Sequence, residues 1–212
     1  MTARTLAYRV CIWDFDGTLF DSYPTMNLAM AQALEQLGYP RPKEEIRRLM
    51  KQSVSTALDF YCETCSLGKE LETLFRQKEK ELSQDLPPYP GALELCRQIF
   101  SAGSLNLLYT HRDSLSLKML QRHGFSPYFA GGVTAEDKFP SKPAPNALQF
   151  LMEKFQFSPQ EALMIGDRDI DLLAGSNAGI DGYLFDPQDD YLSFLAPHRG
   201  HSMKELKQFL NV

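Results

Sequence analysis

From Pro87-Pro88-Tyr89-Pro90-Gly91 onward, short apolar runs alternate with helix-patterned segments to the end of the 212-residue chain, and this alternation constrains the fold more than any other feature. The runs at 105–109, 129–133, 162–165 and 182–185 have the length of strands, and residues 92–100, 114–123, 146–155 and 169–177 have helical spacing. Runs that are apolar at every position suit strands covered on both faces. The expected fold class is therefore α/β, a doubly wound, mainly parallel Rossmann-like sheet, with residues 5–13 as its first strand. Such sheets bind ligands at the carboxyl ends of their strands.

Between the first strand and the alternating part lies a block of another kind. Residues 23–37 place Met26, Met30, Ala33, Leu34 and Leu37 close to helical spacing and stop at Gly38. A second helix starts at Pro42, with Glu44 and Glu45 in the first turn, where the macrodipole favours negative charge. A third begins near Ser53, a fourth covers 69–82, and Pro87 to Gly91 closes the block with helix-breaking residues. The chain thus divides into a Rossmann-like core of 1–20 and 89–212 and an all-α insert of 21–88. Met50-Lys51-Gln52-Ser53 reads as an interhelical loop, either reaching toward a site or a solvated turn. Arg47, Arg48 and Lys51 either favour an anionic ligand or form the polar face of a helix.

The chemistry-bearing residues fall at strand ends. The first strand runs through Val10-Cys11-Ile12-Trp13 into Asp14-Phe15-Asp16-Gly17-Thr18. Side chains alternate with period two, so Asp14 and Asp16 can share one crevice, and Gly17 lets the backbone turn close to a ligand. Thr110 ends the 105–109 run with a hydroxyl. Lys142, within Ser141-Lys142-Pro143-Ala144-Pro145, belongs to a loop just ahead of a helix, because a residue before proline is pushed out of the helical region. The 162–165 run enters Gly166-Asp167-Arg168-Asp169-Ile170-Asp171, a second acidic group. Asp and Gly crowd turns for local reasons, so no single piece assigns a function. Together they suit phosphoryl transfer: one carboxylate attacks phosphorus, another handles the proton, and a divalent cation keeps the first ionised.

These four stretches, in this order, resemble the four signatures of the haloacid dehalogenase superfamily, with phosphoglycolate phosphatase-like hydrolases as the nearest subgroup over nearly the whole chain. The resemblance implies a magnesium-dependent phosphatase that hydrolyses a small phosphorylated metabolite through an aspartyl phosphate. It makes Asp14 the nucleophile, and Asp16 the group that protonates the leaving alkoxide and then takes a proton from the hydrolytic water. It places magnesium between the Asp14 carboxylate, the Asp16 backbone carbonyl and Asp167, with Asp171 a more distant ligand through water. It gives the amides near Gly17, Thr110, His111 and Lys142 to the phosphoryl group. The 21–88 block becomes a cap whose closure expels water and whose inner face selects the leaving group.

Departures from the family pattern carry information. His111-Arg112-Asp113 follow Thr110 where relatives often have Asn, and His111 either contacts substrate or caps a helix. Asp16 argues against halide substrates, because the dehalogenase branch does not keep an acid there. A phosphomutase of the β-phosphoglucomutase type is the nearest competing enzyme. It is disfavoured because Ser22-Tyr23-Pro24 stands where such enzymes carry a substrate-linked histidine. A catalytically retired magnesium-binding regulatory module is the reading from another class, disfavoured by the complete set of acid, hydroxyl, lysine and second acid.

Composition removes other classes. With 22 basic and 27 acidic side chains the net charge is -5 and no basic stripe occurs, so nucleic acid is not an expected partner. No apolar run reaches the roughly twenty residues that cross a bilayer, and the N-terminus lacks a secretory pattern, which gives the expectation of a cytoplasmic protein without a membrane partner. Cys62 and Cys65 form a Cys-x-x-Cys in helical surroundings with no second pair of ligands nearby, and read as helix packing; Cys11 and Cys96 complete no disulfide framework.

Overall fold

The computed structural model describes residues 7–190 and 194–212. In chain order it contains β1 (Val10–Trp13), α1 (Tyr23–Gln36), α2 (Lys43–Gln52), α3 (Val54–Thr64), α4 (Lys69–Leu82), α5 (Ala92–Ser101), β2 (Leu105–Tyr109) and α6 (Leu115–Arg122). There follow β3 (Phe129–Val133), α7 (Asn146–Phe155), β4 (Ala162–Gly166), α8 (Asp169–Asn177), β5 (Asp181–Phe185), β6 (His198–Gly200) and α9 (Met203–Leu210). The described residues fall into two compact units, one drawn from Met1–Phe20 and Pro88–Val212 and the other spanning Asp21–Pro87.

The first unit is an α/β Rossmann-like domain. Its six strands lie in the order β3-β2-β1-β4-β5-β6, and every pairing is parallel. The order reverses beside β1, which pairs with β2 on one side and β4 on the other, and this is the switch point at which such sheets open a crevice. All four residues of β1 and all five of β4 are buried, as expected of strands covered on both faces. One face is filled by Val10, Ile12, Leu107, Tyr109 and Met164 against Ala147, Leu148 and Leu151 of α7 and Ala174 of α8. Register then fixes the functional edge. Trp13 lies level with Leu108 and Ile165, so Asp14, Thr110 and Asp167 all emerge at the carboxyl end of the sheet.

The second unit is a four-helix block with its own core. Met26, Ala29, Met30, Ala33 and Leu34 form one stripe of α1, and they pack with Ile46, Leu49, Met50, Ala57, Leu58, Tyr61, Leu71 and Phe75. Gly38, just past α1, has φ +87°, a conformation that favours glycine.

Three sequence expectations are corrected. The first strand was expected over 5–13. Residues 5 and 6 lie outside the described residues, and β1 starts at Val10, with the Arg9 carbonyl still accepting from the Leu105 amide at 2.9 Å. The expected loop at Met50-Lys51-Gln52-Ser53 does not exist. Met50 is buried in the helical core, Lys51 stacks 4.4 Å from the Tyr23 ring centroid, and Ser53 caps α3 by accepting from the Thr56 amide at 2.8 Å. The last strand was expected at 182–185, but β6 adds to that edge and α9 follows it. The start of α9 had a readable signature in Ser202 and Glu205: Ser202 Oγ accepts from the Glu205 amide, and the Glu205 carboxylate accepts from the His201 amide and the Ser202 hydroxyl. Cys62 lies in α3 and Cys65 at its end, and all four cysteines are free thiols.

Candidate active site

Phe15 explains how the loop after β1 aims its acids. Its ring is fully buried and stacks on Phe20 with centroids 4.5 Å apart, which anchors the residue between Asp14 and Asp16. Asp14 is tied to the sheet by its own amide, which donates to the Ile165 carbonyl at 2.9 Å. Gly17 takes φ +76°, and its amide donates to the Phe20 carbonyl at 2.8 Å. That bond engages the amide expected to meet a phosphoryl group, so Gly17 serves the turn that presents Asp14 and Asp16.

Lys142 enters from the loop ahead of α7, and its ammonium is fully satisfied. Nζ donates to Asp14 Oδ1 at 2.6 Å, to Asp171 Oδ1 at 2.7 Å and to the Tyr109 carbonyl at 2.9 Å. It also lies 4.4 Å from the Tyr109 ring centroid, and the side chain is 1% exposed. An ammonium has three donors, so Lys142 is a clamp between two carboxylates rather than a loose surface cation. Burial disfavours its charge, yet Asp14 and Asp171 outweigh that and raise its pKa above the ordinary lysine value.

Asp171, on the first turn of α8, is positioned from both sides. Oδ1 accepts from Lys142, and Oδ2 accepts from the Arg168 amide at 3.1 Å. Gly166 makes room for this: a methyl group at its α-carbon would overlap the Cβ and Cγ of Asp171. Sequence reasoning did not assign Gly166, although a glycine directly before Asp167 at a strand end was the available signal.

One carboxylate oxygen from each of Asp14, Asp167 and Asp171 lies within 4.8 Å of the other two, and all three residues are buried. With all three acids ionised, Lys142 leaves an excess of two negative charges, and burial of such an excess calls for a compensating cation. Burial first, and then the charges of Asp171 and Asp167, push Asp14 up to about 8, with Lys142 opposing them. An all-oxygen set with this charge fits a hard divalent cation such as magnesium. The side chain of Asp16 is not in this group, and Asp16 was assigned to the metal through its backbone carbonyl only.

Asp16 is engaged elsewhere. Arg112 approaches side-on, with Nε 3.0 Å from both carboxylate oxygens and Nη2 2.7 Å from Oδ1. Thr110 follows β2 and is buried, and its Oγ1 accepts from the Arg112 amide at 3.0 Å, which leaves its hydroxyl proton to donate. His111 does not turn its Nε2 toward an acid. It accepts from the Lys142 amide at 3.0 Å and so holds the lysine loop. Burial, and then the positive charges of Lys142 and Arg168, hold the imidazole below its ordinary pKa, although the residue as a whole is exposed.

Comparison with known proteins agrees with this geometry. Residues 11–184 match the model of a family described as haloacid dehalogenase-like hydrolase. A phosphoglycolate phosphatase of Vibrio parahaemolyticus is 35% identical over 187 residues, covering 81% of this chain and 80% of that one. A hydrolase from Streptococcus pneumoniae TIGR4 superposes with a TM-score of 0.70 at 29% identity, over 97% of this chain and 100% of that one. A subfamily IA hydrolase of the same superfamily from Geobacter sulfurreducens shares the fold, with a TM-score of 0.75 at 24% identity over 99% and 100% of the two chains.

Proposed function

This chain belongs to the haloacid dehalogenase-like hydrolases and is a phosphatase of the phosphoglycolate phosphatase-like kind, and we propose that it hydrolyses a small phosphomonoester by way of a phosphoryl group carried on Asp14, with magnesium. The observation that carries the reading is the buried knot of Asp14, Asp167 and Asp171 clamped by Lys142 at the switch point of the sheet. Asp14, Asp167 and Asp171 would hold the ion, which supplies Lewis-acid stabilisation of phosphoryl oxygens and keeps Asp14 ionised.

The chain's own groups divide the remaining work. Asp14 attacks phosphorus as the ester bond breaks, and Asp16 gives the leaving oxygen its proton. In the second half Asp16 takes a proton from the water that attacks the aspartyl phosphate. Lys142 holds Asp14 in line, and the Thr110 hydroxyl donates to a phosphoryl oxygen. His111 acts on this centre by holding the loop that carries Lys142. We assign leaving-group selection to the Asp21–Pro87 unit, whose insertion directly after the Asp14–Asp16 loop supports that role.

The test is phosphate release from p-nitrophenyl phosphate and a panel of small phosphomonoesters, with magnesium and with chelator, for the native chain and Asp14→Asn. Magnesium-dependent release that vanishes in the variant supports the reading. Interconversion of sugar phosphates without release would favour a mutase, and inactivity on every ester would favour the regulatory module.

A further inference from the structure

The pairing of Arg112 with Asp16 is not accounted for by the roles above. Arg112 replaces no surface interaction: its side chain is 8% exposed, against 25% for Asp16. Its backbone is fixed at both ends, the amide by Thr110 Oγ1 at 3.0 Å and the carbonyl by the Ala135 amide at 3.0 Å. The guanidinium carbon lies 5.8 Å from the centroid of the buried Phe15 ring. An arginine anchored in this way delivers its planar fork to one place, and a side-on fork restricts carboxylate rotation in a way that a lysine point charge does not.

The two oxygens of Asp16 are not equivalent. Oδ1 lies 2.7 Å from Nη2 and accepts from Nε at 3.0 Å, whereas Oδ2 accepts from the shared Nε at 3.0 Å. We infer that Arg112 is the positioning residue for the proton shuttle: it holds Asp16 through Oδ1 and leaves Oδ2 as the oxygen that exchanges the proton with the leaving group and then with water. The inference rests on the phosphatase reading, in which Asp16 is that shuttle. In the step it serves, Asp14 forms a bond to phosphorus and the ester P–O bond breaks. The electron pair goes to the leaving oxygen, and the proton on Asp16 Oδ2 passes to that oxygen, giving a neutral alcohol and the aspartyl phosphate.

A residue that positions a proton donor matters in proportion to how much the leaving group needs a proton. Nitrophenolate departs without one, whereas an alkoxide does not. The experiment compares kcat/KM, which reports the first phosphoryl transfer, for p-nitrophenyl phosphate, glycerol 3-phosphate and 2-phosphoglycolate in native protein, Arg112→Ala and Arg112→Lys, at saturating magnesium, with circular dichroism to confirm the fold.

Arg112→Ala is expected to lose on the order of 100-fold on glycerol 3-phosphate, the scale of general acid catalysis, and at least tenfold less than that on the nitrophenyl ester. Arg112→Lys should recover part of the difference, and it carries the test by itself if the alanine variant does not fold. Equal losses on all three esters would overturn the inference and make Arg112 a scaffold residue. A loss confined to KM for 2-phosphoglycolate would also overturn it, assigning Arg112 to the substrate's carboxylate. In both cases the phosphatase reading stands. Failure of the native protein to hydrolyse any of the three would overturn that reading and the inference with it.

Discussion

Lys142 Nζ lies 2.6 Å from Asp14 Oδ1, joining a loop residue to a strand end 128 positions earlier in the chain. The same nitrogen holds Asp171 at 2.7 Å, so two buried carboxyl groups share one ammonium. Removing it leaves Asp171 without its buried counter-charge and Asp14 without its bond. Lys142→Met is therefore expected to lower the stability of the metal-free protein by about 3–5 kcal/mol, the usual cost of leaving a buried charge without its partner. Urea denaturation in chelator measures this, and a loss under 1 kcal/mol would mean that the carboxylates find other compensation.

Asp14→Asn should move stability the other way while abolishing turnover. Burial and the neighbouring acids push the Asp14 carboxyl up to about 8. Between the ordinary carboxylate range and pH 8 the native state then keeps a proton that the unfolded chain releases, so this group lowers stability as pH rises through that window. An amide removes the penalty. The metal-free variant is expected to be more stable than the native protein at pH 7, with a smaller difference at pH 5. Excess magnesium should raise the melting temperature of the native protein and not that of the variant.

Gly166→Ala tests the placement of Asp171 without touching a charge. The added methyl overlaps Asp171, so that side chain must move away from Lys142 and from the Arg168 amide. The magnesium concentration for half-maximal rate is expected to rise about tenfold or more, the scale seen when groups supporting a metal site are displaced. An unchanged magnesium dependence would show that Asp171 does not serve the ion.

His111 predicts an acid-side effect. Its Nε2 accepts from the Lys142 amide and so must be unprotonated. Its pKa is held below the ordinary value, so the stability it confers is complete above pH about 6.5 and is lost as pH falls below that, where the unfolded chain binds the proton first. His111→Gln offers an acceptor that does not titrate in this range. Denaturation at pH 7, 6 and 5 should show a smaller decline for the variant than for the native protein.

The parts of the fold that could be read from sequence were those with local causes. β1 and β4 are continuous apolar runs, β2 is apolar except at Asn106, and α7 and α8 carry spacing and breakers that fix their bounds. The three-residue β6 was not legible, because its pairing with β5 and not its composition makes it a strand. In the site, Asp14 and Asp167 could be placed by type at strand ends, Lys142 on the loop ahead of a helix, and Asp171 within the second acidic group. The partner of Asp16 could not, because the Arg112 contact joins residues 96 positions apart and nothing local announces it. The engaged amide of Gly17 and the inward-facing Nε2 of His111 are likewise products of tertiary packing.

The most direct test of the central claim is to trap the phosphoryl-enzyme. Asp16→Asn removes the group that activates water for the second step, so a single turnover of p-nitrophenyl phosphate with magnesium, quenched in acid, should leave the variant phosphorylated. Peptide mass spectrometry is expected to find one phosphoryl group, on Asp14. Stoichiometric release of nitrophenol with no phosphoryl group on the protein, or with the group on another residue, would contradict the account.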